Sequence, residues 1–284
     1  MKIGFKTSQT DVDWPTLLAT WELGDQLEVF ESAWIFDHFL SLSVPNGPSH
    51  EALTALSALA ARTRRLQVGH LVLSNTYRHP AVLAKAGATL DHISGGRFVL
   101  GLGAGWHEQE HAMYGLPMPP IGRRISELRS AVQVIRALWS SPDGVSLDAP
   151  PYRLTDAYCR PAPLTPNGPP IWLGTQGPRG LRIAAELADG WNNTGSLPAF
   201  NAKRDELLWA CDVVGRDPST LEISAQARLT GDDDAALGAL RQWGTAYAEA
   251  GVDHLVLIMP AAFGPGGLQR LADEVAAPLR DRFG

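Results

Sequence analysis

The stretch Arg97-Phe98-Val99-Leu100-Gly101-Leu102-Gly103-Ala104-Gly105, followed at once by Trp106-His107-Glu108-Gln109-Glu110, is the one around which the chain is organised. Phe98, Val99, Leu100 and Leu102 form an apolar run of strand length after the turn residues Ser94-Gly95-Gly96. A run that is apolar on successive residues suits a parallel strand buried on both faces. Its three glycines allow one of two readings. They leave bare backbone where a ligand approaches the C-terminal end of a β/α strand, or they relieve crowding inside a barrel.

Working outward, strands alternate with helices on both sides of this stretch. Upstream, Ile3–Lys6 reads as a strand and 7–13 as a polar loop, and Trp14–Phe30 has apolar residues at helical spacing. Ala33–Phe36 is a second strand ending in Asp37-His38, Glu51–Ala61 a helix, Leu66–Leu73 a third strand and Pro80–His92 a helix. Downstream, Arg123–Trp139 carries Ile125, Leu128, Val132, Ile135 and Leu138 on one helical stripe. Segment 140–170 breaks the rhythm: it is rich in proline, glycine and aspartate, with a hairpin-like pattern over Val145–Leu154. The alternation then resumes with strands at 171–174, 190–192, 221–227 and 254–259, and helices at 181–187, 199–214, 235–250 and 268–279.

Eight strands alternating with helices predict a (β/α)₈ TIM barrel over 1–284, with the excursion at 140–170 after the fourth strand–helix unit. A doubly wound dinucleotide fold would need a glycine fingerprint after the first strand, and Thr7-Ser8-Gln9-Thr10-Asp11 has none. The composition, 45% apolar and 19% charged, is that of a soluble globular protein. A net charge of -6 argues against a nucleic-acid partner, and no apolar run is long enough to predict a membrane span. Cys159 and Cys211 have neither metal nor redox spacing, and with no signal segment at Met1 the expected compartment is a reducing cytoplasm.

Three motifs could carry chemistry. His107-Glu108-Gln109-Glu110-His111 matches the zinc-protease pattern H-E-x-x-H, in which a helix turns both histidines to the metal. Here it follows a glycine-ended strand, and Gly115-Leu116-Pro117 soon stops any helix, so no metal is expected and Glu108 and Glu110 read as exposed helix-capping acids. Ile171–Gly180 is a strand, a loop with glycines at 174, 177 and 180, and a helix start with Arg179, a pattern suited to a phosphate or to a tight strand–helix turn. Asp37-His38 closes the second strand at the ligand end, where a carboxylate can orient an imidazole that moves a proton. Ser74-Asn75-Thr76 closes the third strand with hydrogen-bonding side chains, whereas His70 within it reads as structural.

Ser32–Phe39, Leu73–Pro80, Ile93–Arg97, Gly101–His111 and the run from Ile171 through Asn192 resemble the luciferase-like monooxygenase superfamily, closest to its deazaflavin-dependent oxidoreductases. The resemblance implies hydride transfer between coenzyme F420 and a small organic substrate at the barrel mouth. FMN, with a partner reductase supplying reduced flavin for oxygen chemistry, is the alternative within the fold; a homodimer or a non-catalytic flavin-binding barrel is also known among such relatives. It further implies that Asp37 and His38 lie beside the ring, with His38 the proton donor or acceptor and Asp37 holding it. A non-proline cis peptide at Leu71–Val72, with Ser74 nearby, would support one ring face. Gly103, Ala104, Gly105, Trp106 and His107 would border the ring, and the phosphate would sit on Gly174, Thr175, Gln176, Gly177, Arg179, Gly180 and Leu181. Ser8 and Gln9 would join His38 and Trp106 in the substrate pocket. Relatives that oxidise a sugar phosphate carry a glutamate where this chain has Trp106, which points to a more apolar or aromatic substrate.

Overall fold

The computed structural model covers residues 1–284. In chain order the strands are β1 (Lys2–Thr7), β2 (Ser32–Ile35), β3 (Gln67–His70), β4 (Leu73–Ser74), β5 (Phe98–Gly103), β6 (Val145–Ala149), β7 (Tyr152–Ala157), β8 (Ile171–Leu173), β9 (Gly190–Asn193), β10 (Glu222–Arg228) and β11 (His254–Met259). The helices are α1 (Trp14–Gln26), α2 (Ala52–Arg62), α3 (Pro80–Ser94), α4 (Glu108–Tyr114), α5 (Ile121–Ser140), α6 (Pro178–Leu187), α7 (Leu197–Val214), α8 (Asp234–Glu249), α9 (Gly264–Leu271) and α10 (Ala277–Phe283).

All pairings in the main sheet are parallel, and β1–β11 together with β3–β5 close it into a barrel. Counting β3 and β4 as one interrupted strand gives eight staves, the (β/α)₈ architecture expected from the alternation. The β6–β7 hairpin pairs antiparallel within segment 140–170, apart from the barrel sheet.

Three boundaries differ from the sequence reading. Helix α1 stops at Gln26, and Phe30 reaches the core from the following turn, 5.1 Å from the Phe5 ring. Its apolar spacing fitted a helix because periodicity records burial, not the backbone path. The third strand, read as continuous, is interrupted at a cis Leu71–Val72 peptide, the non-proline cis bond that the resemblance implied. The final helix is broken by a π segment, Ala272–Ala276.

Side chains on successive barrel strands alternate between a helix-facing layer and the barrel interior. Outward-facing residues join one buried cluster of 64 residues under the helices. Inside, Trp34 stacks on Trp172 at 4.9 Å, and with Leu71, Val99 and Val256 they form a separate plug. Arg97 locks the opposite end, donating to Leu66 O at 2.6 Å and to Ala60 O and Thr63 O at 2.9 Å. The plug leaves the next layer, at the C-terminal end of the strands, free to be polar.

Candidate active site

The glycines of β5 answer to this chain's own third strand. A side chain at Gly101 would collide with the His70 carbonyl, and a Cβ at Gly103 would lie 2.7 Å from Val72. Crowding inside the barrel therefore accounts for both. Gly105 is different: its φ of +77° favours glycine, and a Cβ there would lie 2.5 Å from Thr76 Oγ1 and 2.6 Å from Ser74 Oγ.

Above the tryptophan plug lies a cavity of about 390 Å³ at the C-terminal mouth. It gathers Asp37, His38, Leu71, Val72 and Ser74 from the second and third strand ends. Gly105, Trp106 and His107 contribute from the fourth, and Gly174 and Gln176 from the loop after β8. The remaining predicted site residues stand elsewhere. Gly103 is buried behind Val72, Ala104 packs against the core, and Leu181 is buried in α6. Thr175 is buried as well, with its carbonyl accepting from Trp191 Nε1 at 2.7 Å. Gly177 is exposed, Gly180 is buried against Thr175, and Arg179 lies flat on α5, donating to Ser126 Oγ at 2.8 Å. Ser8 and Gln9 lie outside the cavity wall. Gln9 is spent bracing the backbone of Phe36, with its Nε2 donating to Phe36 O at 2.6 Å, and Ser8 bonds within its own loop to Thr10.

The expected Asp37–His38 pair is not formed. Each side chain finds a different partner. Asp37 accepts from Arg78 at 2.6 and 3.0 Å and from the Ser74 amide at 2.9 Å. Burial pushes its carboxyl up from the ordinary value, and Arg78 opposes that push. His38 is held instead by Glu110, with 2.9 Å between Nδ1 and Oε2.

Glu110 is accordingly buried, not an exposed cap as the sequence suggested. Its Oε1 accepts from the amides of Phe39 at 2.7 Å and Leu40 at 2.9 Å, and the Tyr77 hydroxyl donates to Oε2. Burial pushes the carboxyl up, but the bonds from His38, Tyr77 and Leu40 outweigh it and hold it at about 2. An ionised carboxylate can only accept, so Nδ1 of His38 carries the hydrogen and Nε2 is left for chemistry. His38 itself lines the cavity, edge-on to Trp106 at 5.4 Å.

The H-E-x-x-H residues do not converge. His111 spends Nε2 on Thr76 Oγ1 and Nδ1 on the His107 carbonyl, both at 2.7 Å. His107 Nδ1 accepts from the Glu110 amide at the start of α4. Glu108 is exposed, and no cluster of three His, Cys, Asp or Glu is placed to hold a metal.

The family model for luciferase-like monooxygenases matches residues 10–256. The chain belongs to this family. The F420-dependent glucose-6-phosphate dehydrogenase of Amycolatopsis mediterranei is 30% identical over 97% of this luciferase-like chain and 81% of its own. Among solved structures, an F420-dependent secondary alcohol dehydrogenase in complex with an F420-acetone adduct superposes with a TM-score of 0.84, at 20% identity over 97% of this chain and 98% of that one. A monooxygenase from Streptomyces bottropensis has a TM-score of 0.79, at 20% identity over 98% and 99%.

One wall of the luciferase-like cavity escaped the sequence reading. Lys6, Asn192, Gln226, Arg228 and Ile258 come from the ends of β1, β9, β10 and β11. Lys6 is buried yet polar, donating to Leu71 O at 2.7 Å and Gln226 Oε1 at 2.9 Å. A lysine and a glutamine at inward positions near strand ends were the available signal, since an apolar barrel layer has no use for them.

Proposed function

We propose that the chain is an oxidoreductase that uses coenzyme F420 to move a hydride to or from a small organic substrate in this cavity. The observation that carries the reading is the His38–Glu110 pair, whose free Nε2 belongs to a residue lining the same cavity as the Leu71–Val72 bulge. The family relationship and the F420-dependent relatives support the cofactor.

The residues fit a flat polar heterocycle with a phosphorylated tail. Val72 offers an apolar surface, and the backbone of Gly105 and Gly174 lines the cavity beside it. Asn192 and Gln226 offer polar groups to ring heteroatoms, and the loop from Gly174 to Gly177 opens onto the first turn of α6, where a phosphate would meet free amides. When bound, F420 supplies a two-electron hydride donor or acceptor.

The protein's part is placement and proton movement. Glu110 fixes the His38 ring through Nδ1, so Nε2 can give a proton to a substrate being reduced or take one from a substrate being oxidised. Asp37, clamped by Arg78, anchors the Ser74 amide and so holds the end of the third strand in place. Trp106, 63% exposed, stands at the mouth where it can cover an apolar or aromatic substrate.

The test is turnover under strict anaerobiosis with F420 and a panel of alcohols, carbonyls and conjugated alkenes, read by the deazaflavin absorbance. Substrate-dependent redox change without oxygen is expected. Turnover only with FMN, a flavin reductase and oxygen would support the monooxygenase reading instead.

A further inference from the structure

The cavity wall is electrostatically one-sided. Asp37 is the only acid on it, and both of its oxygens are already taken by Arg78. The same cavity is lined by two cations. Lys6 spends two of its three N–H donors on Leu71 O and Gln226 Oε1, and its ammonium lies 5.4 Å from the Phe36 ring centroid. Arg228, two residues beyond Gln226 on the same inward face of β10, lines the mouth with no carboxylate partner. Eleven of the twenty arginines are ion-paired and most of the others bond backbone or hydroxyl oxygens, whereas the Arg228 guanidinium does neither. The two cations also repel each other: burial and then the Arg228 charge hold the Lys6 ammonium down to about 7.

We propose that Arg228 and Lys6 form a subsite for an anionic group of the substrate, a carboxylate or a phosphate monoester, and so select organic acids over neutral compounds. This rests on the hydride-transfer reading of the same cavity. The guanidinium offers a planar fork that matches two oxygens of such a group, and the remaining Lys6 donor adds a second charge-assisted contact. Binding an anion there relieves the repulsion between the cations. The aromatic Trp106 at the same mouth would cover the organic body while the acid end is anchored across the cavity. The specificity residue is Arg228, because it is exposed and free, whereas Lys6 is tied into the wall.

The experiment uses protein loaded with F420 and compares benzoate, phenyl phosphate and neutral benzyl alcohol by calorimetry and tryptophan quenching. At least one anion is expected to bind roughly tenfold or more tighter than the alcohol, and the better anion tells carboxylate from phosphate. In Arg228→Gln that preference should fall to within about threefold, with F420 affinity unchanged. Equal binding of anions and alcohol by the parent, or an undiminished preference in Arg228→Gln, overturns the proposal. So does loss of F420 affinity in that variant with the preference intact, which would assign Arg228 to the cofactor. Repeating the titrations without F420 separates the two readings. Anion preference in a protein that never binds F420 dismisses the cofactor and keeps the subsite, and F420 binding without anion preference does the reverse.

Discussion

Two strand ends face the mouth of the barrel and are built in opposite ways. After β2, Asp37 and His38 sit in a dense network in which Arg78, Ser74, Glu110 and Tyr77 all have side-chain or backbone partners. After β8, Gln176 and Gly177 are exposed, and Arg179 turns away onto α5. The first end is organised before any ligand arrives; the second presents backbone amides and little else. A group that must hold one geometry through a proton transfer needs the first kind of support, whereas a solvated phosphate can be met by the second.

The largest expected effect lies in the organised end. His38→Ala should slow turnover by roughly 10²–10⁴-fold with F420 affinity much less affected, as read by steady-state rates beside a binding titration. His38→Asn, which keeps a hydrogen-bonding side chain but cannot shuttle a proton at neutral pH, should be nearly as slow. Parental activity and pH profile in the Asn variant would reduce His38 to a positioning role and erase the contrast between the two ends.

Glu110→Gln comes next, with an expected loss of about 1.5–3 kcal/mol in urea unfolding at neutral pH, since it weakens charge-assisted bonds at a buried carboxylate. The sign of its pH dependence follows from a folded value of about 2 against an ordinary 4.5. A depressed carboxylate stabilises the fold fully above its unfolded value and loses that contribution as pH falls through the folded one. The stability gap between parent and variant should therefore be constant above about pH 4.5 and close toward pH 2. A gap that persists unchanged to the acid limit would mean that the glutamate acts by shape alone.

Within the open end, Gly180→Ala should destabilise by about 1–3 kcal/mol because the added methyl meets Thr175, and Gly177→Ala should not, because nothing stands near its Cβ. Thermal unfolding of the pair checks this, and equal losses would contradict the geometry. The smallest effect belongs to Arg179→Ala, which should move stability by less than about 0.5 kcal/mol and lower F420 affinity by less than about tenfold. A larger loss of affinity would show that Arg179 swings from Ser126 to the phosphate on binding.

The same contrast explains what could be read in advance. The barrel was legible because short apolar strands and amphipathic helices alternate, and each period is set by burial. The ligand end was legible because Asp37-His38, Ser74 and the Gly174–Gly180 loop all follow strands. Partnership was not. Asp37 and His38 are adjacent in sequence yet take different partners, Arg78 for the one and, from 72 residues away, Glu110 for the other. No local pattern marks such a contact, and the H-E-x-x-H spacing drew attention to His107 and His111 rather than to the glutamate that preceded His111. Lys6 and Arg228 escaped for the same reason: their shared cavity exists only once the sheet closes between β1 and β11.

The most direct measurement is a parallel titration of the protein with F420 and FMN, followed by quenching of tryptophan fluorescence, for which Trp106 at the cavity mouth is a built-in reporter. Tight, saturable binding of F420 with weak binding of FMN is the predicted result. Micromolar or better affinity for FMN with none for F420 would contradict the deazaflavin assignment.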